Sequence, residues 1–199
     1  MSGTSLANLT PILVPGAVTV VGWYATYVYT KLREDRTRRL DIALKLRARQ
    51  IEELYGPLLS LIEQIFVVWQ VRQNVFKAGN YSDDEGRRIR EFFWKTYFTP
   101  LHDQAGALLR TKLYLLENAH VPKSFEEYLE HATQEACQHR LWSELGIDTS
   151  KVKGRKWPTK FHDDVKDALD RLMGEYQSGV ARLGSRDFRT QALSKSQSR

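Results

Sequence analysis

The apolar positions of this chain follow two different patterns, which a strongly charged segment separates. Residues 6–29 form an apolar and aromatic run without a charged side chain, and residues 31–50 are dense in charge. From residue 51 onward, apolar side chains recur at steps of three and four, which is the spacing of a buried helix face. The soluble part contains no convincing strand pattern, so the sequence predicts an all-α protein.

Caps and turn formers divide the region after residue 50 into four or five predicted helices. These helices cover approximately residues 51–76, 82–98, 99–120, 124–145 and 157–183. A polar loop of turn formers and lysines, residues 146–156, precedes the last of them. The other connections are short and favour antiparallel neighbours, so we expect an up-down helical bundle.

Particular residues set the ends of these predicted helices. In a capping box, a serine caps the helix and a glutamate three residues later bonds back to it. A threonine followed by proline fits a cap and first helical position, and a glycine commonly ends a helix. The capping boxes are Ser82–Glu85 and Ser124–Glu127, the cap–proline pair is Thr99-Pro100, and the helix-ending glycines are Gly146 and Gly184.

The pair Gly56-Pro57 interrupts a stretch that is otherwise continuously helical in pattern. Proline lacks an amide donor and clashes with the carbonyl of the residue four positions earlier, here Glu53. Glycine adds backbone freedom at the same point. We therefore predict a kink or break at Gly56 and Pro57, with a structural role rather than a binding role.

The uncharged run is long enough to be a membrane helix. About 20 residues cross the ~30 Å hydrocarbon core, and residues 6–29 meet that length. Trp23, Tyr24, Tyr27 and Tyr29 cluster at its C-terminal end, as aromatic side chains do at the headgroup level. A cleaved signal peptide, a buried core helix and a mobile tail are the alternative interpretations.

Most of the net charge lies immediately after this run. Residues 31–50 contribute +5 of the formal net charge of +6. The positive-inside rule therefore predicts a cytoplasmic C-terminal domain and an N-terminus on the outside. These basic residues fix topology, attract anionic lipid, or do both. They are Lys31, Arg33, Arg36, Arg38, Arg39, Lys45, Arg47 and Arg49.

Four segments follow from these patterns. They are a transmembrane anchor (1–30), a basic juxtamembrane helical stalk (31–50), a helical bundle (51–184) and a disordered basic tail (185–199). The bundle and tail together are nearly neutral, which disfavours a nucleic-acid binder. The single cysteine, Cys137, excludes an intramolecular disulfide framework and a zinc site built on several thiolates.

The sequence contains few signals for chemistry. Glycine-rich phosphate loops and a nucleophile elbow are absent from it. The best metal candidates are carboxylates and histidines at helical spacing. Di-iron helical bundles bind metal through Glu-x-x-His motifs of this kind. The candidates are Glu117 with His120, and the ladder Glu127, His131, Glu135 and His139. A solvated polar face or a hydrogen-bonded structural histidine is the more common origin of this pattern, so we expect no metal site at these residues.

The run of residues 49–58, RQIEELYGPL, after a membrane helix resembles a group of small membrane-anchored helical proteins of uncharacterised function. Pro100-Leu101-His102, Trp142 and Trp157-Pro158 are compatible with that group. The resemblance implies an anchored helical domain, and it implies no activity or catalytic residue.

These observations predict a non-enzymatic, membrane-tethered interaction module or accessory subunit without a cofactor. Its expected partners are the lipid bilayer and a protein or a second copy of the chain, not nucleic acid. The alternative is a metal-dependent helical-bundle enzyme with carboxylate and histidine ligands. Tightly bound metal in the purified protein would favour the enzyme.

Overall fold

The computed structural model describes the backbone of residues 10–117, 120–149 and 152–196, and the side chains of these residues from 20 to 184. All of the regular structure in these ranges is helical, as the sequence predicts. Two π-helical turns, Ile51–Tyr55 and Trp94–Phe98, and a 3₁₀ turn, Leu113–Leu115, join some of the helices. The α-helices are α1 (Thr10–Gln50), α2 (Gly56–Ala78), α3 (Asp83–Phe93), α4 (Thr99–Lys112), α5 (Lys123–Leu145) and α6 (Phe161–Ser196).

The chain divides into two compact units. One unit is Leu46–Ser178, and the other combines Met1–Lys45 with Gly179–Arg199. In the second unit, Leu44 of α1 is buried against Gly179 of α6. A methyl group on Gly179 would come within 2.5 Å of the Leu44 side chain, so the glycine allows the two helices to approach closely.

The core of the Leu46–Ser178 unit is built from one face of the first π turn and α2, and from the helices that pack on it. Leu54, Leu58 and Ile62 follow the four-residue spacing of the sequence pattern, and all three are 0% exposed. The Tyr128 ring of α5 stacks on the Phe161 ring of α6 with centroids 4.3 Å apart. Burying large aromatic side chains of this kind contributes several kcal/mol each, at ~25 cal/mol per Å².

Pro57 and Pro100 each follow a π-helical turn, and this explains how the helices tolerate them. The amide of Gly56 bonds to the carbonyl of Ile51, five residues back, and the amide of Thr99 bonds to Trp94 in the same way. A π turn widens the helix just where the following proline would crowd the carbonyl four residues earlier. A Cβ at position 56 would lie 2.8 Å from the Ile51 carbonyl oxygen, so this turn requires glycine.

These turns change two predictions. Thr99 has helical dihedral angles and no side-chain cap bond, so the prediction that a new helix is capped there is wrong. Gly56 is also helical, and the helix is therefore not broken at Pro57. A change of axis direction at Gly56-Pro57 stays a prediction.

The first capping box is confirmed and the second is not. The Ser82 hydroxyl accepts from the Glu85 amide, and the Glu85 carboxylate accepts from the Ser82 amide at 2.9 Å. The helix α5 instead begins at Lys123, one residue before Ser124. The buried Ser124 hydroxyl donates to Asp164 of α6 at 2.5 Å, and this tertiary partner replaces the local cap.

Two helix ends also differ from prediction. The helix α4 ends at Lys112 rather than near His120, because Leu115 and Leu116 turn into the core and Gln50 donates to the Leu115 carbonyl at 2.8 Å. The helix α6 continues past Gly184 to residue 196, where the sequence predicts a disordered tail. A glycine in a helix costs only about 1 kcal/mol, which does not by itself end the helix.

The predicted end at Gly146 is confirmed. Gly146 is left-handed, with φ of 65°, and the amides of Gly146 and Ile147 both bond to the Leu141 carbonyl. This backbone conformation favours glycine because a Cβ there would clash with the following carbonyl.

Candidate functional site

The first candidate site is the exposed apolar surface at the start of the described side chains. One helical run, Val20–Ala78, is long and apolar enough to cross a membrane by length and composition, and the part of it that meets the composition requirement is residues 54–71 rather than the exposed residues 20–29. Trp23 is 79% exposed, and Val20, Val21, Tyr24 and Tyr27 are at least 60% exposed. The sequence-predicted span also includes residues 6–9, which lie outside the described residues.

A second apolar stretch of the same run has a different environment. Residues 54–71 carry a single charged side chain, Glu63, yet this stretch places Leu58, Ile62 and Ile65 in the core of the Leu46–Ser178 unit. The aromatic and apolar side chains of residues 20–29 have no such cover in the structure. The two stretches therefore differ in what surrounds them, although both belong to one helical run.

All eight predicted juxtamembrane basic residues lie on α1. Arg36, Arg38 and Arg39 are exposed. The C-terminal members of the set take part in the fold, since Arg47 donates to Glu175 at 2.8 Å and Arg49 donates to Glu53 at 2.8 Å. Arg36, Arg38 and Arg39 thus present their positive charge to the surroundings.

The second candidate site is a cavity of about 400 Å³ within the Leu46–Ser178 unit. Ligand pockets in proteins are commonly of this size and are lined by apolar and aromatic side chains with a few polar groups. This cavity has that composition, with five aromatic and four polar or charged residues among its walls. The lining residues are Ile65, Phe66, Trp69, Arg72, Trp94, Phe98, His102, His131, Glu135 and Trp157.

Two buried histidines give the cavity fixed polar walls. The Nδ1 atom of His131 lies 2.6 Å from the Arg155 carbonyl oxygen, which only accepts, so this nitrogen carries the proton. In the neutral ring, Nε2 of His131 is then an acceptor. The Nδ1 atom of His102 lies 3.0 Å from the Tyr128 hydroxyl, and burial lowers the pKa of His102 to about 4, with the nearby His131 adding to the effect.

One cation and one anion also line this cavity. The Arg72 guanidinium lies over the Phe98 ring, 5.1 Å from its centroid. Burial lowers the pKa of Arg72, although Glu135 raises it, and Arg90 adds to the lowering. Within the described residues, neither Arg72 nor Glu135 has a hydrogen bond or an ion pair within 4 Å.

The Glu117/His120 metal candidate is not assembled as a helical motif. Glu117 follows the 3₁₀ turn and forms an ion pair with Arg171 of α6, and His120 is exposed. Glu127 of the other candidate set lies 3.7 Å from Lys123. Helical spacing predicted both sites, but α4 ends at Lys112, so Glu117 and His120 do not lie on one helix.

The remaining ladder residues point to different surroundings. His131 and Glu135 line the cavity, whereas the His139 ring stacks on Trp94 with centroids 5.2 Å apart. Burial lowers the pKa of His139, and its Nε2 is buried without a hydrogen-bond partner among the described residues. Within the part of the chain that the structure describes, no three His, Cys, Asp or Glu residues are placed to hold a metal ion.

Sequence reasoning did not find the cavity as a site. Trp94 and Trp157 belong to no motif in the sequence, and Arg72 and His102 carry no signal of function there. The only available signal was the coincidence of several tryptophans and histidines on faces that do not share one helix. Their proximity depends on tertiary contacts, which a periodic pattern does not contain.

Over the residues that the structure describes, the protein is all-helical, with one helix long and apolar enough to cross a membrane. Comparison with known proteins places it in no family, since no family model, no curated protein and no solved structure matches the chain.

Proposed function

We propose that the chain is a membrane-tethered helical interaction module, in which α1 anchors a cytoplasmic up-down bundle. The observation that carries the proposal is the exposure of Val20, Val21, Trp23 and Tyr24 on α1, at the end of a sequence run, residues 6–29, that has no charged side chain. Exposed apolar side chains in such number are costly in water, at ~25 cal/mol per Å². A bilayer removes that cost without a protein partner.

The charge after the exposed segment supports the proposed orientation. No charged side chain precedes Lys31, and Arg36, Arg38 and Arg39 are exposed just beyond the aromatic cluster. Each basic residue near an anionic leaflet contributes about 1 kcal/mol of attraction. The bundle therefore lies on the cytoplasmic side in this proposal, and the N-terminus lies outside.

The only cysteine of the chain provides a direct test of that orientation. Cys137 is exposed on α5, so a maleimide has access to it without unfolding. With intact cells, a membrane-impermeant maleimide should leave Cys137 unlabelled, and labelling should follow permeabilisation. Labelling in intact cells contradicts a cytoplasmic bundle. Cys137→Ser is the control for specificity of the reagent.

The role as an interaction module rests on the exposed apolar and basic side chains of α1, and among the described residues no three His, Cys, Asp or Glu residues are placed to hold a metal ion. Affinity purification from detergent-solubilised native membranes tests this role. The triple variant Arg36→Gln/Arg38→Gln/Arg39→Gln, which removes the exposed basic charge, is purified for comparison. A stoichiometric protein partner or a second copy of the chain is the expected result. Recovery of the chain as a monomer, or with stoichiometric tightly bound metal, contradicts it.

A further inference from the structure

The cavity of the Leu46–Ser178 unit combines flat aromatic walls with charge. Trp94 of the second π turn and Trp157 of the loop before α6 belong to its lining, and Phe66 packs on Trp157 with centroids 5.2 Å apart. Aromatic walls of this kind favour a planar ligand, because rings stack or meet edge to face. The cavity volume of about 400 Å³ exceeds the volume of a benzene ring that carries one short substituent, so such a molecule fits inside.

The positive charge of Arg72 indicates that this cavity prefers a negatively charged ligand. A guanidinium has five donors, and within the described residues those of Arg72 have no acceptor. Its neighbour Phe98 supplies only a ring face, 5.1 Å away, and Glu135 lies beyond ion-pair distance. The half-buried positive charge thus lies against an aromatic ring without a counter-ion in contact.

The other titratable groups that line the cavity are compatible with an anion at Arg72. His102 is buried and neutral near pH 7, so it adds no competing positive charge. His131 offers an acceptor nitrogen in its neutral form, because its Nδ1–H is used by the Arg155 carbonyl. Glu135 is the single negative group of the lining, and it favours a ligand that also carries a donor.

We propose that this cavity is a binding site for a small aromatic carboxylate, whose ring lies among Phe66, Trp94 and Trp157 and whose carboxylate pairs with Arg72. Arginine and carboxylate groups form two parallel hydrogen bonds, which gives such a pair its specificity. This site is separate from the proposed membrane anchor, and its test does not depend on the anchor.

Three probes that share a benzene ring test the charge preference: phenylacetate, neutral 2-phenylethanol and cationic 2-phenylethylammonium. Each is titrated into the full-length protein in detergent, and tryptophan fluorescence is recorded at the red edge of indole absorption, where the probes do not absorb. Saturable quenching is expected for phenylacetate, with about tenfold or tighter binding than for 2-phenylethanol, as a charge-assisted hydrogen bond provides.

Two variants locate the effect. Arg72→Gln should weaken phenylacetate binding about tenfold and leave 2-phenylethanol binding unchanged. The matched control is Arg90→Gln, since Arg90 also lies over an aromatic ring, Phe76 at 5.9 Å, but outside the cavity lining. Arg90 acts on Arg72 only through its charge, so the phenylacetate affinity of Arg90→Gln should fall clearly less than that of Arg72→Gln.

Several outcomes overturn the proposal. These are no saturable quenching by phenylacetate, equal or tighter binding of the neutral or cationic probe to the wild type, and an equal loss in Arg90→Gln and Arg72→Gln. The comparison of three probes in the wild type needs no variant, so it decides the question even if Arg72→Gln does not fold.

Discussion

Replacing His102 with glutamine should reduce the loss of stability that we expect for this protein as the pH falls. The side chain is 8% exposed, and burial lowers its pKa to about 4 from an ordinary 6.5. Between these two values the unfolded chain binds a proton that the folded chain does not. The free energy of unfolding therefore falls as the pH drops through this window.

The magnitude follows from the two pKa values. The contribution is fully present above about pH 6.5 and is lost by about pH 4, for a total of roughly 3 kcal/mol. Roughly 2 kcal/mol of this is lost between about pH 7 and about pH 5, where few carboxylates titrate. His139 acts in the same direction, since burial lowers its pKa as well, so the variant must be compared with the wild type.

Urea unfolding of the full chain in detergent, followed by tryptophan fluorescence at about pH 7 and about pH 5, measures this difference. The wild type should lose roughly 2 kcal/mol more than His102→Gln between the two conditions. His120 is exposed, and His120→Gln is the matched control that should keep the wild-type loss. An equal loss in His102→Gln and the wild type would refute the buried, neutral state of His102.

Two further pairs of substitutions test local features by urea unfolding. Ser124→Ala should destabilise the protein by about 1 kcal/mol because it removes the hydrogen bond to Asp164. Glu127→Gln should change stability by less than about 0.5 kcal/mol, since no capping box forms there. A larger loss in Glu127→Gln than in Ser124→Ala would favour the capping box. A Cβ would meet no neighbouring atom at either Gly146 or Gly174, but only Gly146 has a positive φ. Gly146→Ala should therefore destabilise the protein by about 1 kcal/mol, whereas Gly174→Ala should stabilise it by about 0.5 kcal/mol. Equal effects of the two alanines would contradict the left-handed turn.

Local signals predicted most of the helical elements. The capping box at Ser82 forms because both of its partners lie within one turn, and Gly146 ends α5 because its conformation is local as well. The spacing of Leu54, Leu58 and Ile62 likewise identified a core face correctly. These features depend on residues a few positions apart, which a single sequence displays directly.

Features that depend on distant residues were not predictable in this way. Ser124 had the composition of a cap, but Asp164, forty residues later, competes for its hydroxyl. Thr99-Pro100 fits a helix start and the end of a π turn equally well. Packing of the buried Phe98 favours a backbone that stays helical through Thr99. The cavity is harder still, because Arg72 and Trp157 meet only through the tertiary fold.

Alkaline carbonate extraction of native membranes tests the central claim, that the N-terminal helix anchors this protein in a bilayer. Integral proteins stay in the membrane pellet, whereas peripheral and soluble proteins are released. We expect the full chain in the pellet and a chain that lacks residues 1–30 in the supernatant. The full chain in the supernatant, or both chains in the pellet, would contradict the proposed anchor.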